Sequence, residues 1–193
     1  MSEIELIERD SALNIANGIK ETIAEYCDDF IIVGGLRREI AQVNMVNIVC
    51  RISDHFTVST ILGNTYPKLS SRKEKYTFWA ENIPIEIFIA VTERQYEVLK
   101  LVKTGSAGFI RDLCTRANEK SMALRYSYKD GLCGLYGAIK SWDKESERFK
   151  MFVNPMRKVA YKEDEIITTV TEDEKYLNPL NRNLGWEEMI DEL

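Results

Sequence analysis

The segment that decides the fold reads FIIVGGLRRE and occupies residues 30–39. Its apolar start predicts a short buried strand, and the paired glycines that follow predict a tight turn. The basic residues after the turn predict a helix that begins there, and a helix N-terminus favours anions. A second apolar run, NMVNIV at residues 44–49, predicts a neighbouring strand within Val43–Ile52. The segment therefore predicts two strands joined through a glycine turn that can approach an anion.

Helical spacing of apolar residues appears on both sides of this segment. Residues 10–27 predict an amphipathic helix with Asp10 or Ser11 as its N-cap. Residues 92–102, with Thr92 as the cap, and residues 107–120 predict two further helices. Phe56–Leu62 predicts either a strand or a helical turn, and the chain is expected to break at Gly63-Asn64.

The strongest hairpin signal lies at residues 76–90, where two apolar runs flank Glu81-Asn82. In the second run, alternation places the isoleucines at 85, 87 and 89 on one face, with Glu86 and Phe88 on the other. Beyond Tyr126 the pattern predicts short strands, a break at Pro155 and a terminal helix around Trp186–Leu193. This order of elements predicts an α+β protein in two lobes.

Composition restricts the classes of protein and site. The chain has 193 residues, of which 45% are hydrophobic and 30% charged, as in an ordinary soluble domain. No apolar run approaches the roughly 20 residues of a membrane span, and the acidic N-terminus does not resemble a signal peptide. Because His55 is the single histidine, sites that need two imidazoles are excluded. Four widely spaced cysteines show no zinc pattern and predict reduced thiols in a cytosolic protein.

The charge is unevenly distributed along the chain. Residues 103–161 carry 12 basic and 6 acidic side chains, whereas residues 162–193 carry 3 basic and 10 acidic ones, within a total net charge of −5. Electrostatic binding depends on such local patches rather than on the global sum. The basic segment therefore predicts either a phosphate-binding surface or a solvated helix face.

Several motifs together resemble the family X DNA polymerases, to which polymerase beta belongs. VGGLRRE at residues 33–39 resembles the GS-x-R-R signature, and IPIEIF at residues 83–88 resembles the strand of the third carboxylate. Thr104-Gly105-Ser106 is similar to the sequence at the junction of palm and thumb. The resemblance continues through ALRY, LCGLY, YLNP and LGW, which begin at residues 123, 132, 176 and 184.

The resemblance implies a nucleotidyltransferase palm, with a mixed or antiparallel sheet and helices, followed by a small α/β thumb. The implied boundaries are an N-terminal helix at 1–27 packed on the palm, the palm at 28–103 and the thumb at 104–193. The compact length is similar to that of the smallest viral members, which lack the lyase and fingers domains. The expected location is the cytoplasm, or the host-cell cytoplasm for a viral protein.

Catalysis in this family uses three carboxylates that hold two Mg²⁺ ions. Carried over by position, those carboxylates become Met45, Asn47 and Glu86. A thioether does not suit Mg²⁺ and an amide carries no charge, so Glu86 is the one candidate metal ligand at these positions. Loss of two charges should cost several orders of magnitude in rate, unless Glu39 or Asp54 substitutes for the missing ligands.

The part of the resemblance that concerns phosphate binding is better preserved. It implies that Gly34, Gly35 and Arg38 contact a triphosphate, although Gly35 replaces the usual serine. Thr104, Gly105 and Ser106 would form the turn beneath the sugar. Val102 and Lys103 replace the aromatic pair that usually precedes this turn, and Ile110 replaces an asparagine that reaches the base. For Arg37 and Arg38, surface ion pairing is the alternative role.

These observations favour a polymerase-like protein that has lost catalysis and retains binding of nucleic acid or a nucleotide. Weak nucleic-acid binding is expected from residues 103–161, with cationic candidates at Lys103, Arg111, Arg116, Lys120, Arg125 and Lys129. The acidic residues from Glu163 to Glu174 are expected to compete for this surface. Two alternatives stay open, namely an active Mg²⁺-dependent nucleotidyltransferase with atypical ligands and a module that binds a protein partner. No membrane partner is expected.

Overall fold

The chain divides into two units, Met1–Thr104 and Gly105–Leu193, which we call unit 1 and unit 2. The structure is a computed structural model, and it describes residues 6–66, 69–126, 132–145 and 147–170. The predicted terminal helix, the motifs at 176–186 and Lys129 lie outside these residues. Among the residues described, no helix is both long and apolar enough to cross a membrane.

Unit 1 alternates strands and helices along the chain. Its elements are β1 (Ile7–Glu8), α1 (Arg9–Ile23), β2 (Cys27–Val33), β3 (Gln42–Val43), β4 (Val46–Ile52), α2 (His55–Thr65), β5 (Ser70–Arg72), β6 (Lys75–Ala80), β7 (Ile83–Ala90) and α3 (Glu93–Thr104). A 3₁₀ turn at Ala24–Tyr26 joins α1 to β2. The expected N-cap of α1 is wrong, because the helix begins after Glu8 and has no side-chain cap. Thr92 does cap α3, since its Oγ1 accepts a hydrogen bond from the Gln95 amide.

The main sheet of unit 1 has five strands in the order β2-β4-β7-β6-β5, with a separate two-stranded pair of β1 and β3. β4 and β7 run parallel, while the other neighbours in the main sheet are antiparallel. The predicted hairpin of β6 and β7 is confirmed, and Ala80 pairs with Ile83 across a two-residue turn. Glu81 and Asn82 in this turn both have positive φ, as a type I′ turn requires.

Apolar side chains cover both faces of this sheet. On one face, the isoleucines of β7 at 83, 85, 87 and 89 form a core with α1 and α2. On the other face, Tyr96 and Leu99 of α3 pack on Val49 and Phe88. The expected break at Gly63-Asn64 is wrong, because both residues continue α2. Buried Val58 and Leu62 hold this helix on the core, and this packing outweighs the low helix propensity of glycine.

Unit 2 is built from α4 (Ala107–Glu119), β8 (Met122–Tyr126), β9 (Cys133–Asp143), β10 (Arg148–Ala160) and α5 (Glu163–Val170). The three strands form an antiparallel sheet in the order β10-β9-β8. Phe109 and Leu113 of α4, Leu135 of β9 and Ile166 of α5 are buried. The sequence pattern predicts short strands here, but β9 and β10 are long. The predicted break at Pro155 is wrong, because β10 accommodates the proline where its register shifts between Val153 and Lys158.

The described residues therefore form an α+β structure with a mixed sheet and five helices. The boundary between the units falls at Thr104, within the sequence that is expected to join palm and thumb. The N-terminal helix α1 shares the core of the five-stranded sheet. This arrangement determines which of the candidate site residues meet.

Candidate functional site

Asn47 and Glu86 lie side by side on neighbouring strands. They are paired in the parallel register of β4 and β7, so their side chains leave the same face of the sheet. This is the face that α3 covers, opposite the isoleucine core. Met45 lies immediately before β4, two residues from Asn47, and is half-buried. The register thus brings Asn47 and Glu86 together, as expected.

A lysine neutralises Glu86. The Lys75 Nζ atom of β6 donates to Glu86 Oε1 at 2.6 Å, and both side chains are partly shielded from water. Lys103 lies nearby, with its ammonium 4.0 Å from the centre of the Phe88 ring. Burial lowers the pKa of Lys103 and Lys75 lowers it further, whereas the Glu86 carboxylate opposes both effects. Glu86 is therefore a carboxylate held among ammonium groups.

The residues at these positions do not fit Mg²⁺. Hard cations require several oxygen ligands, usually including more than one carboxylate. Here they would meet the Met45 thioether, the neutral Asn47 amide and a carboxylate already bound by Lys75. Within the described parts of the chain, no three His, Cys, Asp or Glu side chains cluster in a way that could hold a metal ion.

Neither suggested substitute supplies the missing ligands. Asp54 is the N-cap of α2, where its carboxylate accepts hydrogen bonds from the Thr57 hydroxyl and amide. These bonds lower the pKa of Asp54, the hydroxyl contributing most. Glu39 is exposed and ends the glycine turn in the left-handed region, with φ of 64°. The Asp54 carboxylate therefore has a local structural role, whereas Glu39 contributes to the turn through its backbone.

The glycine turn packs directly on Asn47. Gly34 has φ of 67°, and a Cβ atom there would lie 2.9 Å from Asn47 Nδ2. The prediction that a helix begins after the glycines is wrong, because residues 34–39 form consecutive turns. The amides of Arg38, Glu39 and Ile40 bond to carbonyls four, three and five residues back, so no helical repeat develops. An anion at Gly34 and Gly35 would therefore meet turn amides without a helix dipole.

Both arginines of the turn bind the end of α3. Arg37 Nη1 donates to Thr104 Oγ1 at 2.7 Å and contacts the Lys100 carbonyl oxygen at 3.5 Å. Arg38 Nη1 donates to the Thr104 carbonyl at 2.7 Å. The last carbonyls of a helix have no partner within it, and cations near that end stabilise them. These contacts place the arginine pair at a helix C-terminus, a role that the sequence alone did not indicate.

The three residues expected beneath a sugar have separate structural roles. Thr104 is fully buried and ends unit 1. Ser106 is the N-cap of α4, since its Oγ accepts from the Phe109 amide at 3.2 Å. Gly105 permits close packing, because a Cβ atom there would lie 2.8 Å from the Phe109 ring.

The structure sorts the predicted cationic residues of unit 2 into two groups. Arg116 pairs with Asp112 at 3.0 Å, and Lys120 donates to the Thr169 carbonyl at 3.3 Å. Arg111 on α4 and Arg125 on the edge strand β8 are exposed. Lys103 belongs to unit 1, so it is not part of this unit's surface.

The β9–β10 hairpin adds a surface that the sequence patterns did not predict. Ile139 and Phe152 pair across it and are 65% and 49% exposed, and Met156 is 91% exposed. Exposed Lys140 and Lys158 lie on the same two strands. The alternating pattern of residues 148–153 was the available signal, although the expectation of short strands obscured it.

A cavity of about 530 Å³ lies away from these positions, beside the β6–β7 turn and α1. It is lined by Ser11, Asn14, Ile15, Gly18, Tyr66, Trp79, Ala80 and Glu81. None of the predicted site residues lines it. A ligand bound there would not touch Asn47 or Glu86.

The chain was compared with known protein families and with curated proteins. No protein-family model matches the chain, and no curated protein matches its sequence at a significant level. Function must therefore be inferred from the residues themselves.

Proposed function

We propose that this protein is a non-catalytic relative of the family X nucleotidyltransferases that binds the sugar–phosphate backbone of nucleic acid. The ion pair between Lys75 and Glu86 carries the non-catalytic part of the proposal. Magnesium-assisted phosphoryl transfer depends on uncompensated carboxylates, and here the single carboxylate is already neutralised. The mechanism is therefore binding without chemistry.

The arrangement of unit 1 supports a palm-like origin. A glycine turn follows β2 and packs on Asn47, which in turn lies beside Glu86. The motif resemblance implies a strand, a glycine turn, a second strand and a further strand that carries an acidic residue. The arginines differ from that scheme, because their guanidinium groups bind the α3 terminus. Nucleotide binding at the turn is therefore the weaker part of the proposal.

Charge on unit 2 supports the binding part. Within unit 2, residues 105–161 carry 11 basic and 6 acidic side chains, whereas residues 162–193 carry 3 and 10, so the positive charge is local to the first part. Arg111, Arg125, Lys140 and Lys158 are exposed, and exposed Phe152 offers a ring on which an unpaired base could stack. Contacts of this kind recognise phosphate without regard to sequence.

The first part of the acidic C-terminal region is built into unit 2. Residues from Glu163 to Val170 form α5, in which Ile166, Ile167 and Val170 are buried. This helix is part of the core of unit 2, so it cannot leave to compete with a ligand at low cost. Competition is expected instead from residues 171–193, which carry seven acidic and two basic side chains.

Anisotropy titrations of labelled gapped DNA test the proposal. The full chain should bind weakly at low salt, and the affinity should fall steeply as salt rises. Arg111→Ala with Arg125→Ala should weaken binding, whereas Arg116→Ala is the matched control because Arg116 pairs with Asp112. A chain ending at Val170 should bind more tightly. Absence of binding at low salt in both lengths would reject the proposal.

A primer-extension assay separates this proposal from the active-enzyme alternative. The protein should incorporate no nucleotide with Mg²⁺, and Glu86→Gln should change nothing. Incorporation that Glu86→Gln abolishes would establish the alternative instead.

The exposed apolar residues of the hairpin favour a second candidate function, binding of a protein partner. Ile139 and Met156 are large apolar side chains with most of their surface in water. Met156→Ser should leave DNA affinity unchanged if phosphate contacts dominate. If DNA binding is absent, loss of a protein complex in Ile139→Ser and Met156→Ser, but not in Arg111→Ala, would identify this function.

A further inference from the structure

Two cysteine side chains meet inside unit 1. Cys27 opens β2 and Cys50 lies in the adjacent antiparallel strand β4. Cys27 is paired with Ile52, two residues from Cys50, and an irregularity follows between Cys27 and Asp29. Both cysteines contribute to the core that α1 covers. The register therefore makes Cys27 and Cys50 diagonal neighbours on the same face of the sheet.

The two thiols differ in exposure and acidity. Cys50 is fully buried and its thiol donates to the Phe88 carbonyl at 3.9 Å, while interaction with the Cys27 thiol together with burial raises the pKa of Cys50 well above its usual value. The same interaction lowers the pKa of Cys27, against the opposing effects of burial and of Asp28. Cys27 is half-buried and retains contact with solvent. The pair thus has one accessible thiol of increased acidity and one buried thiol beside it.

We propose that Cys27 and Cys50 form a reversible disulfide when the protein meets a hydroperoxide. The Cys27 thiolate attacks a peroxide oxygen, the O–O bond breaks and hydroxide leaves, which produces a sulfenic acid at Cys27. The Cys50 sulfur then attacks the Cys27 sulfur, the S–O bond breaks and water leaves. For hydrogen peroxide, the two thiols lose two electrons and two protons, and the peroxide is reduced to two molecules of water.

Geometry explains why the bond should be reversible. A disulfide requires an S–S distance of about 2.05 Å and Cβ atoms roughly 3.5–4.5 Å apart. Diagonal neighbours in an antiparallel pair are roughly 7–8 Å apart, so the start of β2 must move towards β4 for the bond to close. The irregularity after Cys27 provides a place where the strand can adjust. A bond that strains its strands is more easily reduced by dithiols.

The other cysteines supply an internal control. Cys114 and Cys133 belong to unit 2, where Cys114 is half-buried in α4 and Cys133 is buried in β9. Burial raises the pKa of Cys114, which slows its reaction with peroxide. Peroxide should therefore react with Cys27 before it reacts with either of these thiols.

Thiol counting on the full-length protein tests this inference. After brief treatment with equimolar hydrogen peroxide and denaturation, two of the four thiols should be lost, the mass should fall by two hydrogens, and dithiothreitol should restore both. Peptide mapping should join Cys27 to Cys50. Cys114→Ser should behave like the wild type and lose two thiols, whereas Cys27→Ser and Cys50→Ser should form no intramolecular bond.

Because Cys50 is in the core, circular dichroism must first show that Cys50→Ser is folded. Cys27 is only half-buried, so Cys27→Ser tests the loss of the disulfide with less risk of unfolding. A wild-type protein that keeps all four thiols would overturn the proposal. So would oxidation that accumulates as sulfinic or sulfonic acid on Cys27 while the Cys50 thiol persists. A bond to Cys114 or Cys133 would equally contradict it.

Discussion

Lys75 and Glu86 form an ion pair diagonally across the hairpin of β6 and β7. The hairpin register places Thr77 opposite Glu86 and Lys75 opposite Phe88, so the lysine reaches back along the strand to the carboxylate. The consequence is local neutrality at the position where a metal-dependent enzyme would concentrate negative charge. Metal affinity at this position therefore depends on Lys75 as well as on the carboxylates.

Restoring aspartates alone should not create a magnesium site. Met45→Asp with Asn47→Asp adds two carboxylates beside Glu86, but the Lys75 ammonium still binds the Glu86 carboxylate. Adding Lys75→Ala should free Glu86 and allow Mg²⁺ to bind. Calorimetric titration with Mg²⁺ should show heat for the triple variant, with Lys75→Ala alone as the control. Equal Mg²⁺ affinity in the double and triple variants would show that Lys75 does not matter.

Gly34→Ala should destabilise the protein, because the residue has φ of 67° and its Cβ would meet Asn47 Nδ2. We expect a loss of about 1–3 kcal/mol in the free energy of unfolding, measured by urea denaturation. Gly18→Ala is the matched control. Gly18 is exposed inside α1 with open space where the alanine methyl group would lie, so this change should stabilise by about 0.5–1 kcal/mol. Similar losses in both variants would contradict this account.

Thr104→Val should remove the hydroxyl that accepts from Arg37 while keeping the branched shape of the buried side chain. Hydrogen bonds to charged groups contribute about 1.5–3 kcal/mol, and we expect a loss of that order in the free energy of unfolding. Thr115→Val is the control, since the Thr115 hydroxyl is exposed and bonds to the Arg111 carbonyl of its own helix. If Thr115→Val lowers the free energy of unfolding as much as Thr104→Val, the loss comes from placing valine in a helix and not from the missing hydrogen bond.

Stability should fall at alkaline pH through Tyr96. Burial raises the pKa of Tyr96 to about 12 from an ordinary value of 10.0. The folded state therefore favours the neutral phenol, and this contribution is complete below pH 10.0 and is lost as the pH rises towards 12. Denaturation of wild type and Tyr96→Phe at several pH values should show a smaller alkaline loss in the variant. Parallel curves would contradict this prediction.

The β6–β7 turn should tolerate a better turn sequence. Glu81 and Asn82 both have positive φ, which Asn-Gly adopts more readily than Glu-Asn. Glu81→Asn with Asn82→Gly should stabilise the protein by about 0.5–1 kcal/mol in thermal or urea unfolding. Glu81→Val should destabilise it, because a branched side chain is unfavourable at positive φ. If both substitutions changed the free energy of unfolding in the same direction, the type I′ turn would be contradicted.

Local patterns were sufficient for much of unit 1. Alternation at residues 83–90 indicated the two faces of β7, and the two-residue turn at Glu81-Asn82 indicated the hairpin. With that turn, the pairing of Thr77 with Glu86 could also have been derived. The proximity of Lys75 to Glu86 was therefore accessible from the sequence, although comparing single positions with a family motif does not reveal it.

The errors arose where distant contacts control local structure. The segment after Gly35 has helix-forming residues, yet buried Leu36 and the bonds from Arg37 and Arg38 to Thr104 hold it as a turn. These contacts span more than sixty residues of sequence, which no local pattern contains. Gly63 is the reverse case, since packing of Leu62 keeps it helical.

Pro155 has a consequence for how molecules of this protein meet one another. β10 forms an edge of its sheet, and an exposed edge strand can pair with a strand from another molecule and begin aggregation. Proline donates no backbone hydrogen bond, and the shift of register between Val153 and Lys158 interrupts the regular edge. The same residues that interrupt the ladder inside the molecule therefore protect its edge from intermolecular β-sheet growth.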